Sequence, residues 1–141
     1  MIRVVGKEDA EGWHVMYYLP YPSEVDKYPA LRTILETAGS YRGYKAEQVS
    51  SHYASGWVES MVAVEGVRLA LEKVGYDNLS GRAVRDALAS LKDFDTGLIP
   101  PISMSDKKPY YCDTDVVYQI RDGKHVPVSE RLKPVYFLEF E

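Results

Sequence analysis

The pattern of apolar and polar positions predicts one strand near the start of the chain, three helices in the middle and a β-hairpin near the end. Residues 12–19 are predicted to form the strand, because apolar side chains occupy every second position. These side chains are Trp13, Val15, Tyr17 and Leu19. Met16 and Tyr18 make the second face apolar as well, so we expect this strand to be covered on both sides.

Two amphipathic helices are predicted next. Residues 29–38 begin with a proline, carry an apolar stripe and are followed by Gly39 as the expected C-terminal stop. Residues 53–74 form the longest predicted helix, and Gly75 is expected to end it. Its main stripe consists of Trp57, Met61, Val64, Val67, Leu71 and Val74. Further apolar positions, Val58, Val62 and Leu69, widen this stripe, so the helix is expected to be buried on more than one side.

The remaining elements follow a predicted N-cap at Ser80, which begins a third helix with an apolar stripe as far as Leu91. Residues 29–96 are therefore mainly helical, with a loop at 40–51. From residue 99 the pattern changes. Ile99-Pro100-Pro101-Ile102 is expected to be a stiff, extended connector, since proline pushes its predecessor towards extended geometry. Segments 116–121 and 124–128 flank Asp122-Gly123, which is typical of a hairpin with a type I′ turn. The apolar tail at 135–140 is a candidate final strand.

The order of these elements lacks the alternation of strands and helices that builds a parallel sheet. Three amphipathic helices have only one early strand and a late hairpin to cover. Either the helices pack on one another, or the sheet that they cover comes from elsewhere. The length of 141 residues is consistent with a single domain.

Composition excludes several classes of partner. Lys and Arg number 17 against 21 Asp and Glu, so no basic surface for nucleic acid or anionic lipid is expected. Cys112 is the single cysteine, which rules out an intramolecular disulfide, and zinc-ligand spacing is absent. Residues 1–7 are too short and too charged for a signal peptide, and no apolar run reaches the length of a membrane span. Read alone, the chain is expected to be cytoplasmic.

Catalytic motifs are missing from the sequence. There is no Gly-x-Ser-x-Gly, His-Glu-x-x-His, Cys-x-x-Cys or phosphate-binding loop. His14, His52 and His125 stand in no recognisable nucleophile or metal context. A small enzyme that uses Cys112 or a histidine is the weakest of three hypotheses, and we predict no catalytic residue, metal ion or cofactor.

Tyrosine is the unusual residue, with twelve in the chain. Tyr17, Tyr18 and Tyr21 cluster at the end of the predicted strand, and further tyrosines surround the loop before the long helix. A tyrosine offers an apolar face and a hydroxyl, which suits a cleft for small ligands, and its ring attracts ammonium groups. Packing in the core is the alternative for any one of them.

Several segments, taken in order, resemble the C-terminal part of the type I substrate-binding proteins of branched-chain amino-acid ABC transporters. The resemblance extends from about residue 11 to residue 133. The matching segments are Glu11-Gly12 with the following strand and Tyr21-Pro22, Tyr53-x-x-Gly56-Trp57, Val84-Arg85-Asp86-Ala87-Leu88, Phe94-Asp95-Thr96-Gly97, Pro100-Pro101-Ile102-Ser103, and Val117-Tyr118-Gln119-Ile120 with Val126-Pro127-Val128.

This resemblance implies an α/β fold of two lobes, joined by three crossing segments, that closes over a ligand. The chain would be the last third of such a protein and would lack most of the ligand site. The implied ligand is an amino acid or a related small metabolite, passed to a membrane permease without chemistry. A complete member would be periplasmic or extracellular. The ligand-binding residues expected here are Tyr53, Tyr18, Tyr21 and Trp57.

Two further expectations remain. The alternative function is a cytoplasmic ligand-sensing or regulatory module that uses the same piece of the fold. Apolar helix faces without a sheet to cover would be exposed and sticky, so we also expect a homo-oligomer.

Overall fold

The computed structural model describes residues 5–109 and 112–133. The elements are α1 (Lys7–Ala10), β1 (His14–Tyr17), α2 (Pro29–Arg42), α3 (Ser51–Val74), α4 (Gly81–Leu88), β2 (Val116–Arg121) and β3 (Lys124–Pro127). The predicted order of strand, three longer helices and hairpin is confirmed, within a mixed α/β fold. The candidate strand at 135–140 lies outside the described residues.

The strands form one antiparallel sheet in the order β1-β2-β3. Asp122 and Gly123 both have positive φ angles, of 51° and 71°, which confirms the predicted type I′ turn between β2 and β3. His14 lies opposite Gln119, so the early strand pairs with the late hairpin across more than 100 residues of sequence. The sheet therefore joins the two ends of the described chain.

One face of this sheet is buried and the other is open. Along β2, Val116, Tyr118 and Ile120 are buried, while the residues between them are partly exposed. Met16 on β1 is 61% exposed. The expectation that both faces of the first strand are covered is therefore wrong for the described residues, because no described element packs on the side of Met16.

Helix α2 is longer than predicted. It continues through Gly39 to Arg42 and ends at Gly43, whose φ of 65° is left-handed. Tyr44 N–H donates to the Ala38 carbonyl at 3.3 Å, which closes the helix end. The apolar stripe stops at Ala38, so periodicity alone gave no sign of the last turn, and the loop predicted from residue 40 begins at 43.

The other predicted helix ends agree more closely with the structure. The Ser50 hydroxyl accepts from Tyr53 N–H at the start of α3, and Gly75 ends that helix as predicted. The Ser80 hydroxyl accepts from Ala83 N–H, which confirms the predicted N-cap of α4. Helix α4 ends at Leu88 rather than near Leu91.

The buried face of α3 differs from the main predicted stripe. The buried row consists of Ala54, Val58, Val62, Gly66 and Ala70. In the predicted stripe, by contrast, Val64 is 68% and Val67 is 38% exposed. The reason is close packing against α4, because Leu88 lies directly over Gly66. The helices thus pack on one another, and small residues rather than large ones face the contact.

The main core lies between α2, α3 and the segment that follows α4. It contains Leu19, Leu31, Ile34, Ala54, Val58, Val62, Leu91, Leu98, Ile99 and Ile102. Phe94 and Ile102 exchange two backbone hydrogen bonds of 2.9 and 2.8 Å. The segment at 97–100 therefore bends and closes a loop, which corrects the prediction of an extended connector.

Candidate functional site

The chain passes from β1 to α2 through residues 18–28, and this crossing segment is fixed to the sheet through Glu24. The Glu24 carboxylate, only 7% exposed, accepts a hydrogen bond of 2.8 Å from the Tyr118 hydroxyl. It also accepts from Tyr21 N–H at 3.2 Å. Burial and the nearby Glu24 charge raise the pKa of Tyr118 far above its usual range, so this tyrosine stays protonated and donates.

Tyr21 is wedged into the same junction. Its ring stacks on His125 with centroids 3.8 Å apart, and it meets the Tyr118 ring edge-on at 4.7 Å. The Ser23 hydroxyl donates to the His125 carbonyl at 2.8 Å. Of the predicted ligand-binding residues, Tyr21 is therefore the most deeply packed, at 8% exposure.

Tyr18 connects the crossing segment to the helical part of the molecule. Its hydroxyl lies 2.6 Å from the Ser55 hydroxyl on α3, and Ser55 donates to Glu59 at 2.9 Å. Because a serine hydroxyl has one proton and Ser55 donates it to Glu59, Tyr18 is the donor to Ser55. This contact spans 37 residues of sequence.

Tyr17 completes an aromatic cluster at the first turns of α3. Its ring centroid lies 5.0 Å from Tyr18, 5.7 Å from Tyr21 and 6.3 Å from His52, the last in an edge-on arrangement. Burial raises the pKa of both Tyr17 and Tyr21. Their hydroxyls are thus neutral at physiological pH, and the rings and hydroxyls together form a partly exposed wall. We call Tyr17, Tyr18, Tyr21, His52 and Ser55 the aromatic cluster.

Tyr53 and Trp57 do not belong to this cluster. Tyr53 meets Tyr44 edge-on at 6.3 Å, and both Tyr53 and Trp57 pack partly against the helical core. At 100° per residue they lie on the other side of the buried row of α3 from Ser55. The structure therefore splits the four predicted site residues into two pairs on opposite flanks of one helix.

His52 and Ser55 were not identified from the sequence. A serine or histidine in the first turns of a helix is ordinary, and nothing nearby marks these two. The only signal was their position three residues apart, which puts both on one helix face. The partners that make this face a site are Tyr17 at the end of β1, which meets His52, and Tyr18 in the crossing segment, which meets Ser55.

An open groove lies beside the crossing segment. Its volume is about 440 Å³. It is lined by Glu24, Lys27, Tyr28, Val116, Pro127, Val128, Ser129, Glu130 and Arg131. The Arg131 guanidinium donates to the Tyr18 carbonyl at 2.9 Å, so it holds the crossing segment in place. None of the four predicted site residues lines this groove.

Two other features are absent from residues 5–109 and 112–133. That part of the chain contains no group of three or more His, Cys, Asp or Glu placed to hold a metal ion. Among the same residues, no helix has the length and hydropathy needed to cross a bilayer.

Two solved structures share this fold. One is described as a branched-chain amino acid ABC transporter from Thermus thermophilus with bound valine; it has a TM-score of 0.81 and 20% identity over 94% of this chain. The other is described as an ABC transporter permease from the Pseudomonas fluorescens group, with a TM-score of 0.64 and 22% identity over 89% of this chain. No protein-family model and no curated protein matches the sequence.

The match is partial in the other direction. The chain spans 36% of the Thermus thermophilus protein and 32% of the Pseudomonas protein, about a third of each. The match confirms the fold predicted from the sequence motifs over about a third of each of these structures. At 20–22% identity, the match concerns the fold and assigns no role to an individual side chain.

Proposed function

We propose that the chain forms part of a solute-binding protein that closes over an amino acid or a related small metabolite. The observation that supports this most directly is the match to a protein described with bound valine, which extends over 94% of this chain. The absence of any catalytic motif in the sequence fits a protein that binds its ligand without changing it. The proposal therefore includes no reaction.

The aromatic cluster is the part of the chain best suited to face such a ligand. It lies where the sheet meets the helical core, with Tyr18 on one side and Ser55 on the other. A cleft between two bodies can close on a ligand by moving one against the other. Tyrosine hydroxyls and ring faces there can contact both the polar and the apolar parts of an amino acid.

The proposal also covers the partners. Because the chain spans about a third of the matched structures, the remaining walls of the cleft would come from further polypeptide. We propose that this chain carries only a minor share of the ligand contacts, and that the complete assembly delivers its ligand to an ABC permease outside the cytoplasm.

The experiment that tests this proposal is a residue-resolved NMR titration of the ¹⁵N-labelled chain with L-valine, L-leucine, L-phenylalanine and a small aliphatic amide. A partial site is expected to bind weakly, in the millimolar range that corresponds to about 4 kcal/mol. Amide signals of residues 17–19, 21 and 51–55 should shift in a saturable manner with at least one of these ligands. Tyr76, 84% exposed beyond the far end of α3, supplies the control signal.

Two results would count against the proposed site. Shifts confined to the groove residues Lys27 and 128–131 would instead assign the ligand to that groove. The absence of any saturable shift would refute ligand binding by this chain. As a matched pair of variants, Tyr18→Phe should weaken binding by removing the hydroxyl that contacts Ser55, whereas Tyr76→Phe should leave it unchanged.

A further inference from the structure

We infer that the open groove beside the crossing segment binds a small organic carboxylate, which Lys27 and Arg131 hold by its charge. The inference goes beyond the proposed function and does not rest on it. The groove volume of about 440 Å³ lies within the range of about 300–1,000 Å³ that is usual for small-molecule sites. Its wall combines two cations with apolar side chains, which match the two ends of such a ligand.

Arg131 is a fixed and partly buried cation on the groove wall. One guanidinium nitrogen, Nη1, donates to the Tyr18 carbonyl at 2.9 Å and to the Thr114 hydroxyl at 3.3 Å. Both acceptors are neutral, so these contacts orient the guanidinium without neutralising its charge. Nε and Nη2 also carry N–H groups, and a guanidinium can donate to both oxygens of one carboxylate. Arg131 is therefore preorganised to bind an anion.

No ion pair joins Arg131 or Lys27 to a carboxylate within the part of the chain that the structure describes. The cations that do form ion pairs there are Arg32, Arg68, Arg85 and Lys108. A charge that is partly removed from water is usually balanced by an opposite charge, because burying it alone is costly. We therefore expect a ligand to supply the anion that Arg131 lacks, with the exposed Lys27 as its second cationic contact.

Two carboxylates also line the groove, and they limit the charge of the ligand. Glu24 is buried and already accepts from the Tyr118 hydroxyl and from Tyr21 N–H, whereas Glu130 is exposed. Each further negative charge on the ligand would be repelled by these two groups. A singly charged carboxylate is therefore favoured over a phosphate or a dicarboxylate.

The apolar part of the groove wall favours an organic acid over an inorganic anion. It consists of Val116, Pro127 and Val128, together with Tyr28. Val128 is 41% exposed, so an alkyl group placed against it would remove apolar surface from water. A carboxylate with a short branched alkyl chain can contact the cations and this apolar wall at the same time.

The test is an NMR titration of the ¹⁵N-labelled full chain at pH 7 with sodium isovalerate, isobutylamine hydrochloride and inorganic phosphate. Isovalerate and isobutylamine share the same isobutyl group and carry opposite charges. We expect only isovalerate to shift the amide signals of Lys27, Tyr28 and 128–131 in a saturable manner, with a Kd in the millimolar range. Raising the sodium chloride concentration from about 20 mM to about 500 mM should weaken this binding, because salt screens exposed charges.

Variants at the two cations test their roles. Lys27→Gln should weaken isovalerate binding by about threefold. Arg131→Lys should weaken it as well, because lysine keeps the charge but loses the planar fork. The matched control is Lys73→Gln, an exposed lysine in the last turn of α3, which should bind like the wild type. Circular dichroism verifies that all three variants are folded.

Several outcomes would overturn the inference. The absence of a saturable shift of the groove amides with isovalerate would exclude the site. Equal shifts with isobutylamine would mean that the alkyl group rather than the charge is recognised, and tighter binding of phosphate would assign the groove to an inorganic anion. Unchanged binding in both Lys27→Gln and Arg131→Lys would remove these cations from the site. The aromatic cluster has its own amide signals, so this inference and the proposed function can fail independently.

Discussion

Glu24 shows, at the scale of a single residue, how the crossing segment is fixed to the sheet. A buried carboxylate is costly unless its oxygens accept hydrogen bonds. Glu24 accepts from the Tyr118 hydroxyl, contributed by β2, and from Tyr21 N–H in its own turn. One side chain thus joins two segments that are 94 residues apart in sequence.

Tyr118→Phe is expected to destabilise the protein. The substitution keeps the ring but leaves the buried carboxylate of Glu24 with one partner fewer. The expected loss in the free energy of unfolding is about 1–3 kcal/mol, measured by urea denaturation at pH 7. Tyr76→Phe, at a site that is 84% exposed, is the control and should change the free energy by less than about 0.5 kcal/mol. Equal stabilities of the two variants would refute the role given to this hydrogen bond.

His125 is expected to make folding sensitive to pH. Burial lowers the pKa of His125, so the unfolded chain binds this proton more tightly than the folded one. The stability that neutral His125 contributes is therefore fully present above the ordinary histidine pKa of about 6.5. This contribution is lost as the pH falls below that value. The quantity to measure is the difference between the unfolding free energies at pH 8 and pH 5.

That difference should be smaller in His125→Gln than in the wild type. His14→Gln is the matched control, because His14 is an exposed histidine of the same sheet, and its difference should equal that of the wild type. Equal differences in all three proteins would mean that His125 is not the group responsible.

The tyrosines of the aromatic cluster could be selected from the sequence, but their partners could not. Tyr17, Tyr18 and Tyr21 stand close together along the chain, in a composition that is already rich in tyrosine. Ser55 became part of the cluster only because the fold brings Tyr18 to 2.6 Å from it. Local patterns carry no information about a partner 37 positions away.

At the scale of elements, α3 shows how packing chooses between two apolar faces. The larger side chains dominate the sequence pattern of α3, and they predicted the buried side as Trp57, Met61, Val64, Val67, Leu71 and Val74. The structure buries the row of smaller residues instead, because Gly66 lets α4 approach closely. The N-cap at Ser80, by contrast, was predicted from the residue itself, whereas the cap of α3 at Ser50 was not identified from the sequence.

Gly66→Ala and Gly56→Ala should have opposite effects. A β-carbon at Gly66 would lie 2.7 Å from both Cγ and Cδ2 of Leu88, so the Leu88 side chain or α4 itself would have to move. The expected loss is about 1–3 kcal/mol from overpacking, only partly offset by the better helix propensity of alanine. At Gly56 a β-carbon meets nothing within 4 Å, and the same change should stabilise by about 0.5–1 kcal/mol. Thermal and urea unfolding of both variants measure this contrast, and a stabilising Gly66→Ala would contradict it.

At the scale of the whole molecule, the chain has a large helical core and a small sheet cluster. Among the described residues, ten buried side chains form the helical core, whereas Tyr21, Val116 and Tyr118 form the cluster beneath the sheet. The aromatic cluster lies where the two meet. The stability of the two parts is therefore expected to differ.

Amide hydrogen exchange should resolve this difference. An amide exchanges when its segment opens locally, and opening costs more where more apolar surface is buried. Amides in α3, such as those of Val58 and Val62, should therefore exchange more slowly than those of β2. The measurement is native-state exchange by NMR at neutral pH. Equal protection of Val58 and Ile120 would instead indicate a single cooperative unit.

The sequence by itself determined the features that depend on neighbouring residues. The N-cap at Ser80, the end of α3 at Gly75, the type I′ turn at Asp122-Gly123 and the order of strand, helices and hairpin all follow from short-range preferences. The ordered motifs also indicated the fold that the solved structures share. The tertiary structure alone decided the buried face of α3, the open side of the sheet and the separation of Tyr18 and Tyr21 from Tyr53 and Trp57. Each of these depends on which distant segments come into contact, and a local pattern of side chains does not specify that.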